Sequence, residues 1–245
     1  MAEFYVTLPS NACLDIFPDN TLANYLIKLD RPLRLEGKWV VGLVEIHFPN
    51  SWDNINDGEV IIEQDESRSL KILNIKSGRY RTVEDVISAL HHCLAGFNMQ
   101  SSVSIFYDKT ENYCYIRIDA NDIRIKLSNN LSNILGLEHK TYAFGETKGK
   151  RQCDIAEGFT SLYVYTNLVE PQIVGDIQAQ LLRIVPIKER SKEPNQVVSF
   201  QHVQYLPIIN TGTESVEVVI RRDDGRKPSF QSGKVIVSLH FKKIN

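Results

Sequence analysis

The most metal-like cluster in the chain is His91-His92-Cys93. Its donors suit zinc by type. Neighbouring residues on a helix, however, point about 100° apart, and a zinc-binding helix needs its ligands at i and i+4. Ala95 and Gly96 follow, and Ile87 and Ser88 precede, so the spacing predicts histidines flanking a polar helix face. Gly145-Glu146-Thr147-Lys148-Gly149-Lys150-Arg151 has the look of a phosphate loop. A P-loop needs four residues between its glycines and a Ser or Thr after its lysine to hold magnesium. Here there are three, and Arg151 stands in the hydroxyl position, so the stretch reads as a mobile polar loop. Its basic residues Lys148, Lys150 and Arg151 could still touch a phosphate or an acidic partner. Arg221-Arg222-Asp223-Asp224-Gly225-Arg226-Lys227 is dense in charge but mixed in sign and carries no aromatics of the kind a nucleic-acid groove interleaves. It reads as a solvated turn whose ion pairs contribute little. Lys188–Glu193 reads as a similar polar loop. No Gly-x-Ser-x-Gly elbow is present. The sequence therefore predicts no enzyme, no catalytic residue, no cofactor and no metal.

Composition narrows the class. Among 245 residues, 28 Lys and Arg stand against 30 Asp and Glu, giving a formal net charge of -2. That balance argues against a dedicated nucleic-acid binder, which needs a basic excess to displace counterions. A hydrophobic fraction of 42% argues against disorder over most of the chain. Cys13, Cys93, Cys114 and Cys153 form no C-x-x-C pair, and a chain of this length can bury a core without two disulfides. Met1–Tyr5 lacks the basic and apolar regions of a signal peptide, and no apolar run reaches membrane-spanning length. Asn130-Leu131-Ser132 is a sequon, discounted without a signal peptide. The expectation is an intracellular protein with reduced thiols, no specific nucleic-acid partner and no membrane.

The elements that must position these residues are mostly strands. Phe4, Val6 and Leu8 alternate before Pro9. Thr21–Leu29 is a second strand, and Trp39–Phe48, apolar on both faces, is a third that belongs inside a sheet. Val60–Glu63 and Leu70–Ile75 are short strands around the turn Asp65-Glu66-Ser67-Arg68. One long helix follows: Thr82 caps it, Asp85 completes a capping box, and Val83, Val86, Ile87, Leu90, Leu94 and Phe97 form its apolar stripe. Gly96 is placed to stop it. Ser102–Tyr107 and Tyr113–Ile118 read as a hairpin, Ile123–Leu127 as a strand, and Ser128 caps a short helix that Gly136 ends. Thr141–Glu157 reads as a surface loop. Five strands then follow: Ser161–Leu168, Gln180–Ile187, Gln196–Leu206, Glu214–Arg222 and Lys234–Lys242, with a turn at Asp223-Asp224-Gly225.

Three strands before the helical stretch and five after it make eight, with long unequal connections. That is the inventory of a jelly roll. An immunoglobulin-like sandwich has shorter links and no large insertion. The fold class read from the sequence is mainly β: a single jelly-roll β-sandwich formed by 1–58 and 138–245, interrupted by a small α+β insertion, 59–137, carrying the long helix.

Several phrases occur together along nearly the whole chain: Phe4–Asn11, Phe17–Tyr25, Leu35–Ile46, Phe48–Trp52, Gly78–Val86, Leu131–Leu137, Arg222–Phe230 and Gly233–Phe241. The pattern resembles the minor capsid, or penton, proteins of Maverick/Polinton elements and the related adintoviruses. The resemblance implies a jelly-roll subunit that forms a homopentamer at the fivefold vertices of an icosahedral capsid. Its partners would be further copies of itself and a double-jelly-roll major capsid protein, with a host receptor left open, and it would reside in the virion after synthesis in the cytoplasm. It carries no residue-level site. With the strand pattern beginning at Phe4, any arm tying it to the capsid would be short or ordered as a strand, and tethering would fall to surface contacts or to loops such as 141–157. The rival reading is a β-sandwich that binds a glycan or a cell-surface ligand, with exposed rings such as Trp52 or Tyr142 as contacts. For Trp52 the other reading is core packing at a strand end.

Overall fold

The computed structural model describes residues 2–65, 69–156, 159–187, 194–209 and 212–244. The chain opens with β1 (Glu3–Pro9), β2 (Asn24–Arg34) and β3 (Lys38–Pro49). There follow β4 (Glu59–Gln64), β5 (Ser69–Asn74), α1 (Val83–Gly96), β6 (Val103–Asp108), β7 (Tyr113–Ile118), β8 (Ile123–Leu127), α2 (Asn129–Ile134), β9 (Thr141–Tyr142) and β10 (Gly145–Lys148). The last third holds β11 (Ser161–Thr166), β12 (Gln172–Val174), β13 (Ile177–Ala179), β14 (Leu181–Pro186), β15 (Asn195–Ser199), β16 (Leu206–Pro207), β17 (Gly212–Arg222) and β18 (Ile236–Ile244). Two compact units divide these elements: Met1–Trp52 with Phe159–Asn245, and Asp53–Gly158.

The first unit is a sandwich. One sheet runs β1-β18-β3-β15, with β16 also on β3; the other runs β14-β11-β17-β2. Successive long strands alternate between the sheets except for β11 and β14, which are neighbours in one. That crossing order is a jelly roll. Alternation explains it locally. Val237, Leu239 and Phe241 of β18 are buried and meet Leu43, Ile46 and Phe48 of β3, with Leu162, Val164, Val216, Val218 and Ile220 from the other sheet in the same core. As its two apolar faces predict, β3 lies inside its sheet, between β18 and β15. Tyr25 brings its ring into this core and donates its hydroxyl to the Leu8 carbonyl at 3.1 Å, which satisfies the buried polar atom.

Two strands differ from their sequence reading. β2 begins at Asn24, not Thr21, because Thr21 and Asn24 bond each other across a tight turn. Gln196–Leu206 is two strands, β15 and β16, not one. Gly42 on β3 shows why: a Cβ there would lie 2.7 Å from the Gln204 carbonyl oxygen, so segment 200–205 leaves the ladder and crosses the face of β3. The hairpin β12–β13 was not read from the sequence at all. Its turn is Gly175-Asp176, with Gly175 at φ +63°.

The second unit has two small sheets, β5-β4-β8-β9 and β10-β7-β6. α1 buries Val83, Val86, Ile87, Leu90 and Leu94 in a core with Ile62, Ile105, Ile116 and Ile125. Its capping box is present: Asp85 N–H donates to Thr82 Oγ1 at 3.2 Å, and Thr82 N–H donates to Asp85 Oδ2 at 3.1 Å. Gly96 is not its stop. The helix ends in a Schellman turn with Asn98 at φ +56°, closed by Met99 N–H to the Leu94 carbonyl at 2.9 Å and Asn98 N–H to the Ala95 carbonyl at 3.0 Å. Phe97 then becomes an exposed cap residue outside the stripe. α2 closes as expected, with Gly136 at φ +66°. The 141–157 stretch, read as a loop, contains β9 and β10, paired to β8 and β7, in its described part; Glu157 lies outside the described residues. So do residues 66–68 of the expected turn and the polar loop 188–193.

Candidate interaction surfaces

Most of the sequence candidates for chemistry have a structural partner instead. His91 and His92 are exposed on α1, and the His91 ring accepts the Ile105 N–H at 3.4 Å. Cys93 donates its thiol to the Asn74 carbonyl at 3.5 Å. Among the described residues no three His, Cys, Asp or Glu side chains converge as metal ligands. The basic loop is tied down locally: Lys148 pairs with Glu111, Lys150 with Glu138 at 2.5 Å, and Arg151 donates to the neutral Asn133 Oδ1 at 3.1 Å. Asn130 of the sequon is buried, accepting from Asn56 N–H at 3.0 Å and donating to the Asn54 carbonyl at 3.0 Å, so its amide is not offered to a glycosyl transferase. The four cysteines are free thiols. Cys153 donates its thiol to the Leu135 carbonyl at 3.4 Å, and the hydrogen bond with Cys153, together with burial, raises the Cys114 thiol.

The turn 221–227 is more than solvated charge. Arg222 is buried, with its guanidinium 4.6 Å from the Phe159 ring centre and 3.2 Å from Asp224. Asp223 accepts from Thr160 N–H at 2.8 Å and Thr160 Oγ1 at 3.0 Å. These bonds fix the start of β11. A charge run in sequence hides such burial because it shows sign but not neighbours.

The two rings named as ligand contacts face inward. Tyr142 is buried and donates to the Glu138 carbonyl at 2.8 Å. Trp52 packs edge-on against Phe159 at 5.3 Å and Phe230 at 6.1 Å, the strand-end packing that its sequence position also allowed.

On the outer side of the β1-β18-β3 sheet, the Tyr5 ring, 67% exposed, stacks on His240 at 4.4 Å. Tyr205 meets His240 Nδ1 at 2.6 Å, and Glu3 lies 3.6 Å from Nε2. Burial and the nearby Tyr5 and Glu3 raise the Tyr205 phenol. Further along, Glu45 is held below the usual carboxylate range by the Ser199 hydroxyl at 2.6 Å, and then by His47 at 2.7 Å.

At one end of the sandwich is an apolar groove of about 340 Å³. Leu35 from the β2–β3 turn, Trp39 at the start of β3, Pro207 and Ile208 from β16 and its exit, and Ile244 at the end of β18 line it, together with Lys38 and Glu170. The β12–β13 hairpin rises from the same end. Its base is pinned there: Glu170 N–H donates to the Pro207 carbonyl at 3.1 Å and Gln180 Nε2 to the Val169 carbonyl at 3.1 Å. Its tip carries Ile173 and Ile177, 81% and 58% exposed. Sequence reasoning missed this groove, because four separated segments build it.

The strand order, interrupted between β3 and β11 by the second unit's elements, defines a jelly roll. The solved mavirus penton protein has this fold: it is 11% identical, the alignment covers 100% of both chains, and the TM-score is 0.56. A chain of the Sputnik virophage, solved at 3.5 Å by cryo-EM, aligns over 98% of both chains at 11% identity and a TM-score of 0.49. No protein-family model and no curated protein matches the sequence.

Proposed function

We propose that this chain is a minor capsid protein, a penton, of a Maverick/Polinton-type element. In this reading it forms the fivefold vertices of an icosahedral particle as a homopentamer and meets a double-jelly-roll major capsid protein at its flanks. Its place of work is the virion, and its partners are proteins. The whole chain acts as one capsid subunit: the jelly roll supplies the body, and the unit inserted after β3 is an appendage carried by it.

The observation that carries the proposal is the end-to-end correspondence with the mavirus penton fold, 100% of each chain. Two features of the chain fit it. The lysines and arginine of the phosphate-loop-like stretch are tied into local bonds, and Ile173, the most exposed large apolar side chain among the described residues, stands on the β12–β13 hairpin, where contact with another protein would cover it.

Native mass spectrometry and sedimentation of the full chain test the proposal. The expected result is a species of five chains, seen as five-membered rings by electron microscopy. A strict monomer at high concentration that also fails to assemble beside its major capsid protein would overturn it.

A further inference from the structure

We infer that the β12–β13 hairpin of one copy docks into the apolar groove of the next, so that this end of the sandwich is the contact between copies. The inference rests on the ring-forming reading above and names the residues that would close the ring.

The hairpin is a knob without a socket of its own. Ile173 and Ile177 remain 81% and 58% exposed although Val169 and Glu170, just before them, are pinned to the groove wall. Ile177 pairs with Val174 and Ile173 with Gln178, so the two isoleucines stand on opposite faces of the tip and would be covered only by a groove that takes the hairpin between its walls. The groove is the complementary hole, walled by Trp39, Pro207, Ile208 and Ile244. From Glu170 to the tip at Gly175 is five residues, which span at most about 17 Å. That reach is enough for the tip to meet an adjacent molecule.

Charge sets the direction of the contact. The groove is lined by one acid, Glu170, and one base, Lys38; Asp176, the one charged residue of the hairpin, is opposite in sign to Lys38. Neither Asp176 nor Lys38 has an ion-pair partner among the described residues. A knob bearing an acid and a hole lined in part by a base are different surfaces of one chain. Such a heterologous contact closes into a ring when the rotation allows. Both surfaces lie at one end of the sandwich, so copies arranged side by side around an axis along its length bring the hairpin of each beside the groove of the next.

The test uses the full chain. Ile173→Asp with Ile177→Asp should raise the concentration needed for half-assembly by about 100-fold or more. Circular dichroism should stay unchanged, because both side chains are exposed. Lys38→Glu should weaken assembly by about tenfold, and adding Asp176→Lys should restore it. Mixing an Ile173→Cys chain with a separate Ile208→Cys chain under mild oxidation should give a disulfide-linked pair that neither variant forms alone. Rings that survive the double Asp substitution would overturn the hairpin contact and leave the ring itself standing. A monomeric unmodified chain would overturn both. If the double variant still forms rings but no longer joins its major capsid protein, the occupant of the groove is that second protein and the inference is wrong.

Discussion

The sandwich and the inserted unit cover their strands by different means. In the sandwich, strands of up to 12 residues form two sheets that bury each other, and the core is filled by aliphatic groups and large rings such as Phe48, Phe159 and Phe241. In the inserted unit the strands have at most 6 residues, and α1 contributes a helical face to the core. Short strands leave more backbone outside the ladders, and buried side-chain amides take it up. Asn54 accepts from Tyr80 N–H at 2.8 Å and donates to the Tyr80 and Ile155 carbonyls, both at 2.9 Å. Asn130 does the same for residues 54, 56 and 57. Long ladders pair their own polar groups; short ones need side chains to complete the account.

The strongest way to break this comparison is to remove one large core group from each unit. Phe241 is fully buried and stacks on Phe4 at 4.8 Å; replacing it with Ala should cost about 3–5 kcal/mol. Leu90 on α1 is equally buried, and Leu90→Ala should cost about 2–5 kcal/mol. Each unit has its own core. Amide hydrogen exchange should therefore show Phe241→Ala loosening the sandwich strands and Leu90→Ala loosening the inserted unit. Equal loss of protection everywhere in both variants would mean that the two cores melt as one.

Two glycines of nearly equal φ sharpen the comparison further. Gly136, in the inserted unit, sits at φ +66°, and Gly175, at the hairpin tip of the sandwich, at φ +63°. An alanine at either position carries the left-handed penalty, about 1–2 kcal/mol. Around Gly175 nothing lies within 4 Å of an added Cβ. At Gly136 the added atom meets the Arg151 backbone, 2.8 Å from its carbonyl carbon and closer still to its oxygen. Gly136→Ala should thus cost about 1–3 kcal/mol more than Gly175→Ala, the usual range for overpacking. Thermal unfolding of the two variants measures the difference, and equal midpoints would show that the 151–152 segment yields freely.

The fold was legible where a local pattern decides it. Val235, Val237, Leu239 and Phe241 alternate in sequence and are all buried, and Thr82 with Asp85 announces a capping box that is present. Eight strands can be counted from such patterns, and the jelly roll follows. The reading failed where a distant segment decides. Nothing near Gly42 tells that residues 203–204 will lie across it, so one strand was read where β15 and β16 are two. Gly96 drew the helix stop because glycine is the commoner left-handed residue, while Asn98 takes that conformation here. The β12–β13 hairpin had an available signal, Gly175-Asp176 between Val174 and Ile177, of the two-residue turn type. As for the candidate site, the aromatic contacts Trp52 and Tyr142 were chosen by type, and type does not show which way a ring faces. The groove draws on residues 35–39, 170, 207–208 and 244, and no window of sequence contains it.

The smallest effect separates two carboxylates lowered for different reasons. Glu45, on the outer face of β3, is lowered chiefly by the hydroxyl of Ser199, which sits directly opposite on β15, and secondly by His47. Glu138, in the inserted unit, is lowered by Lys150 and then Lys140. Both folded values lie below the unfolded one. The stabilisation each gives is therefore complete above the ordinary glutamate range and is lost as pH falls through the folded value. A hydrogen bond from a neutral hydroxyl is insensitive to salt, whereas exposed ion pairs are screened. Carbon-detected NMR titration of the two side chains should show the Glu138 midpoint climbing as salt is added while most of the Glu45 depression persists. Ser199→Ala should move Glu45 upward and leave Glu138 where it is. If salt shifts both midpoints alike, the Ser199 hydroxyl is not what holds Glu45 down, and His47 acting as a cation takes its place.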